Sequence, residues 1–228
     1  LNVIQGKSSD SAVFTEGIVA DKEIALVVGK GEVEEALLNK AATLLGGEVS
    51  VIEADMKAFE SALAVMDEEV VRAIFKDARD VVVVEGLLLR PLRAMLLIPE
   101  RKIISLGERL LREPSKVRGL LLATDLYIID ARSYNLDHKR LVGFYNDLKK
   151  DTGLTMNFDL HRSAISTGRD NIEREGDVLE AQARWIVEGR RFERIVVENP
   201  SDAELFRKVT QVPVISILEL GGEPHGCD

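Results

Sequence analysis

The sequence predicts an α/β protein built on one doubly wound, mostly parallel β-sheet of about six or seven strands, with helices on both faces. Two observations predict it. Short β-branched runs alternate with amphipathic stretches, the pattern of parallel strands joined by crossover helices. Most of these runs are continuously apolar, as Val81, Val82, Val83 and Val84 show. A run of that kind is buried on both faces of its sheet.

Candidate strands fall at 24–28, 49–53, 81–85, 103–106, 126–130, 194–197 and 214–218. Between the first two, Val33, Ala36, Leu37, Ala41, Leu44 and Leu45 recur at helical spacing within 32–45, which gives one apolar face. Gly46 and Gly47 then supply the C-cap. Further helices are expected over 58–75, 91–98, 136–149, 172–187 and 202–209, with Pro91 opening its helix as proline can at a first turn. Residues 154–171 form a long polar loop, and loops of that length in a compact domain usually serve a function. No Pro/Gly/Ser-rich linker divides the 228 residues and no internal repeat is visible. One α/β domain over 1–228 is expected, with 151–228 as an alternative sub-lobe. A chain of this size buries a core without staples.

Composition narrows the function classes. Lys and Arg number 30 against 39 Asp and Glu, for a net charge of -9. That field repels a phosphate-rich polymer, and no polybasic run offsets it, so general nucleic-acid binding is disfavoured. The one cysteine, Cys227, makes no internal disulfide and no cysteine metal cage. Apolar runs fall far short of the ~20 residues of a spanning helix, and no basic-then-apolar leader is seen. A cytoplasmic protein with no membrane partner is the expectation. Gln occurs only at 5, 182 and 211 amid abundant Glu, Lys and Arg, a bias of thermophilic proteins.

In open parallel sheets ligands bind beyond the carboxyl ends of the strands. Gly29-Lys30-Gly31 follows the first strand; Glu53 and Asp55 close the second; Glu85, Asp130 and Glu198 close later ones. The stretch 24–55 reads as a Rossmann-like βαβ unit. Gly29 and Gly31 would let backbone turn tightly toward a phosphate at a helix N-terminus, and Glu53 stands near the spacing of the acid that holds a ribose hydroxyl. The third glycine of that pattern is replaced by Glu34, whose charge opposes a pyrophosphate. S-adenosylmethionine or another nucleotide-type ligand therefore suits the loop, and group transfer is preferred to hydride transfer. In the loop before residue 172, His161 is a candidate acid or base, and Arg162 and Arg169 could grip an anion. The leading expectation is a nucleotide-binding transferase acting on a phosphorylated or nucleotide-containing small molecule.

A second reading uses the acids. Converging Asp55, Glu85 and Asp130 would hold Mg²⁺ for phosphoryl transfer or phosphodiester hydrolysis. Residues 81–86, VVVVEG, resemble the first motif of the toprim domain of primases and topoisomerases. That family also carries Asp-x-Asp after a later strand, where this chain has Asp125 and Asp130 flanking one. Asp55-Met56-Lys57 is similar to the acid-x-Lys element of restriction-type nucleases. No site of zinc type is expected, since His138 and His225 are isolated and lack ligand-spaced partners. A third reading is a non-catalytic subunit that keeps the fold, and apolar helix faces are compatible with a homodimer.

Overall fold

In the computed structural model the strands form two parallel four-stranded sheets. The structure describes residues 12–15, 18–31, 35–60, 66–96, 99, 102–157 and 169–221. The first sheet holds β1 (Ile24–Gly29), β2 (Val49–Ala54), β3 (Asp80–Val83) and β4 (Ile103–Ser105) in the order β2-β1-β3-β4. The second holds β5 (Asp125–Ile128), β6 (Thr155–Asn157), β7 (Arg194–Val197) and β8 (Val214–Ser216) in the order β6-β5-β7-β8. Every pairing in both is parallel. The α/β class and the two-faced burial are as expected. The single sheet of six or seven strands is not, because an apolar run buried on both faces reads the same in one large sheet as in two small ones.

The helices are α1 (Glu35–Leu45), α2 (Met56–Glu60), α3 (Glu68–Phe75), α4 (Gly86–Met95), α5 (Leu106–Leu111), α6 (Pro114–Arg118), α7 (Ala131–Thr152), α8 (Arg169–Val187) and α9 (Pro200–Val209). A 3-10 turn, Ile217–Gly221, follows β8. Alternation along each strand sorts side chains into layers. Ala25 and Val27 face a core with α3, α4 and the segment around Phe14. Leu126, Ile128, Ile195 and Val197 face one with Ala183 and Ile186 of α8 and Phe206 of α9. Leu26, Val28, Val82 and Val84 from the first sheet, and Tyr127, Ile129 and Val196 from the second, share one central cluster with α1, α5 and α7. At ~1.5–3 kcal/mol for each fully buried large apolar side chain, this shared layer is what joins the two sheets.

The chain repeats its topology. Strands one to four of each half take the same order, and registers match them residue by residue. Leu26 pairs with Val82 in the first sheet as Tyr127 pairs with Val196 in the second. One step on, Val84 N–H donates to the Val27 carbonyl as Glu198 N–H donates to that of Ile128. Leu26 thus corresponds to Tyr127, Val84 to Glu198 and Glu85 to Asn199. The halves also exchange a segment: α5, after β4, packs on α7, while Ile217–Gly221, after β8, packs on α1.

Local sequence explains several boundaries. Asp67 caps α3, accepting from Glu69 N–H at 2.8 Å and Val70 N–H at 3.3 Å. Asp130 caps α7, whose far end stops at left-handed Gly153. A side-chain N-cap of this kind is worth ~1 kcal/mol. Pro91 sits inside α4 rather than opening it, because the helix starts at its N-cap Glu85. The predicted loop at 154–171 contributes β6 to the edge of the second sheet, and α8 begins at Arg169. The helix expected over 58–75 is two helices, α2 and α3.

Candidate functional site

In a sheet ordered 2-1-3-4, the chain leaves the first strand to one side and returns to the other, so the carboxyl ends of strands one and three border a topological switch point. In the first half that point lies between Gly29-Lys30-Gly31 and Glu85. In the second it lies between Asp130 and Glu198-Asn199. The two points face each other. Asn199 Nδ2 donates to Glu85 Oε1 across the halves, and Ser201 Oγ donates to the same oxygen at 3.3 Å. Arg132 Nη1 lies 3.7 Å from Glu85 Oε2. Glu85 is the N-cap of α4, Asp130 of α7 and Asn199 of α9, so three helix N-termini converge here, each adding partial positive charge.

Glu198 is 2% exposed. Its Oε1 accepts from Tyr127 OH at 2.8 Å and Tyr145 OH at 2.5 Å, and its Oε2 accepts from Asp130 N–H at 2.9 Å. Among the described residues no lysine, arginine or histidine forms an ion pair with it. Burial pushes its carboxyl up to about 7; the hydrogen bonds from Tyr145, Asp130 N–H and Tyr127 pull the other way, and the Asp130 charge adds to the rise. Burial also lifts both tyrosines well above the usual phenol value, helped by the Glu198 charge. Asp130 accepts from Ser133 N–H at 3.3 Å and from Ser133 Oγ.

The halves come into close contact at two points here. A Cβ on Gly107 of α5 would overlap Tyr145 OH and the Glu198 carboxylate. One on Gly86 of α4 would overlap the Asp130 carboxylate and approach the Ser133 backbone nitrogen at 2.8 Å. Both positions require glycine because the halves approach so closely, not because of a special backbone angle. Beside them runs a chain of ion pairs. Arg93 of α4 grips Asp137 of α7 through two hydrogen bonds of 2.9 and 2.7 Å. Arg140 joins Asp137 to Glu108 of α5, at 2.8 Å to each, and Arg112 holds Glu108 at 3.0 Å. Burial raises Asp137, but the hydrogen bonds and charges of Arg93 and Arg140 outweigh it and leave the carboxyl below its usual value.

The chain matches no family model and no curated protein significantly. One similar solved structure is an aspartate racemase homologue from Pyrococcus horikoshii, 11% identical, covering 88% of this chain and 95% of that one, with a TM-score of 0.37. At that level nothing about this chain's chemistry follows from the likeness.

The sequence-predicted residues divide into separate groups. Glu85 and Asp130 lie at the contact between the halves. Gly29 ends β1, Gly31 adopts a positive φ of 75°, and Gly31 N–H donates to Glu53 Oε1 at 3.4 Å, so turn and acid sit side by side. Asp55 accepts from Ala58 N–H at 2.9 Å and so caps α2. Among the described residues no three His, Cys, Asp or Glu side chains group closely enough to hold a metal ion. Asp125, the other acid of the toprim comparison, is bound by Arg194 through bonds of 2.9 and 2.6 Å at the opposite end of β5. His161 and Arg162 lie outside the described residues, as does the side chain of Arg169 at the start of α8. Sequence reasoning counted Glu198 among the strand-end acids without giving it a role, and missed Tyr127 and Tyr145. The signal for Tyr127 was a lone phenol within an otherwise aliphatic strand.

Proposed function

We propose that this chain is an enzyme that moves a proton on a small polar molecule held between its two halves, with Glu198 as the acid–base group and Tyr127 and Tyr145 orienting it. One observation carries the reading. Where the second half buries Tyr127 and Glu198, the first half buries Leu26 and Val84 at the corresponding positions. The fold is therefore complete with an apolar pair. A buried carboxylate without a cation costs several kcal/mol, and the fold does not need it. Groups that burden a fold in this way concentrate at sites of chemistry, and a carboxyl poised near neutrality is suited to proton transfer at working pH. Glu85, Asp130, Asn199 and Ser201 supply polar contacts around it.

The test is a thermal-shift screen of small polar metabolites at pH 7 on the protein and on Glu198→Gln. Support is a compound that raises the melting temperature of the first and not of a folded second. If every responding compound shifts both equally, and shifts Asp130→Asn equally too, the site lies elsewhere.

The Gly31–Glu53 contact favours a second reading, a transferase with a nucleotide-type ligand such as S-adenosylmethionine on the Gly29–Gly31 turn. The ribose would take the place of Gly31 N–H on Glu53. Calorimetric binding of S-adenosylmethionine or ATP that is lost in Gly31→Asp supports it; binding untouched by that change removes its basis.

A further inference from the structure

We propose that the outer face of α8 is a contact between two copies of this chain, which pair antiparallel across Ala181. The sequence sets two apolar faces on that one helix. At ~100° per residue, Leu179, Ala183, Ile186 and Val187 fall on one side, where they pack on the second sheet and α9. Val178, Ala181 and Trp185 fall within about 60° of one another on the opposite side, and all three are exposed. Among the described residues Val178 at 61% and Trp185 at 60% are the most exposed of the large apolar side chains. A lone apolar side chain in water is ordinary. A valine and a tryptophan two turns apart on one line, with a small residue between them, make a surface shaped for another helix. Tryptophan is also a residue that interfaces collect.

The charges select a second copy as the occupant and fix its direction. Asp177 and Arg184 are exposed and lie on the same flank of the apolar line. Arg184 also holds Glu180 at 2.5 Å. Among the described residues of α8 the other flank carries only Gln182. A two-fold axis across antiparallel helices brings like flanks together. With ~1.5 Å of rise per residue and the crossing at Ala181, Asp177 of each copy stands beside Arg184 of the other, and Trp185 lies over Val178. The alanine at the centre lets the two backbones approach. A parallel pair brings opposite flanks together instead, so each charged flank meets only Gln182. The face is thus complementary to itself in the antiparallel setting, as an isologous contact requires. Two turns of helix bury less than the ~800 Å² per partner of a standard stable interface, so the pair forms and parts with concentration.

Trp185 is the one tryptophan of the chain, so its emission reads this face directly. From about 1 to 300 μM, sedimentation should show monomer passing to dimer, with the emission moving to shorter wavelength over the same range. Trp185→Glu changes an exposed position and leaves the core alone; it should keep the chain monomeric throughout. Asp177→Arg and Arg184→Asp should each raise the dissociation constant on the order of 10-fold, and the two together should restore it. In a Cys227→Ser chain, Ala181→Cys should cross-link two copies on mild oxidation. Glu188→Cys should not, because its two copies stand roughly 20 Å apart along the helix axes. A monomer at every concentration overturns the contact, whether its tryptophan emits as exposed or as covered by another segment of the chain. A dimer that survives Trp185→Glu overturns it too, as does a charge exchange that fails to restore pairing or a cross-link through 188 and not 181.

Discussion

Glu85 and Asn199 hold the same position in the two halves of the chain, each the N-cap of the helix after a third strand, and they hydrogen-bond to each other. The approximate two-fold relating the halves therefore passes between them. One is a carboxylate and the other an amide, and the contact depends on that difference. Asn199→Asp would set two carboxylates face to face with Arg132 as their nearest cation. Like charges at such a distance share a proton or separate. The expected outcome is a loss of about 2–4 kcal/mol in urea unfolding at pH 8, with much of it recovered at pH 5.

Glu198→Val alone leaves the hydroxyls of Tyr127 and Tyr145 without their acceptor in a buried place, at about 1–3 kcal/mol for each unmet group. The triple change Glu198→Val, Tyr127→Leu, Tyr145→Phe gives the second half the apolar solution that Leu26 and Val84 provide in the first. It should recover most of that loss, as measured against the unaltered protein by the same unfolding curves. A triple variant no more stable than the single would mean that the two halves are not equivalent at this point.

Stability should also vary with pH through Glu198. Burial pushes its carboxyl up to about 7 in the folded chain, against 4.5 for a freely solvated glutamate. Between those values the folded state holds the proton more tightly than the unfolded. The contribution is therefore fully present below the unfolded value and is lost as pH rises toward 7. A rise of that size corresponds to roughly 3 kcal/mol. Unfolding free energies measured from pH 4.5 to 8 should fall over this window, and Glu198→Gln should remove the fall. Asp137 is lowered instead, so its contribution is lost only as pH drops below the ordinary carboxylate range, outside the same window.

The Arg93–Asp137 pair joins α4 of one half to α7 of the other with side chains only 9% and 10% exposed. Asp137→Ala strands a buried guanidinium and should cost about 3–5 kcal/mol. Adding Arg93→Met should recover a large share, the sign of a coupled pair in a double-mutant cycle.

Much of the fold was legible in the sequence, and the reason is the aliphatic runs. Val81–Val83 and their counterparts announce two-faced burial wherever they end up. The division into two sheets was not legible, because it depends on which strand sits beside which, and strand order leaves no mark on a run of valines. The repeated topology was hidden for a related reason: Leu26 and Tyr127, or Val84 and Glu198, share a place in space and no chemistry. β6 was missed because Thr155, Met156 and Asn157 make three residues of edge strand with mixed burial. The site was half legible. Strand-end position pointed to Glu85, Asp130 and Glu198, but Tyr145 reaches Glu198 from the fourth turn of a long helix, and no spacing rule connects positions 53 residues apart.

The exchanged segments, α5 resting on α7 and Ile217–Gly221 resting on α1, make each half the supplier of a missing piece to the other. Neither has a finished interior by itself. A backbone cut in the exposed turn at 122–124 would yield two fragments that are each deficient and mutually corrective. Such fragments find each other by completing each other, so the clasp that holds the intact chain together also makes it a natural candidate for reassembly from two separate polypeptides.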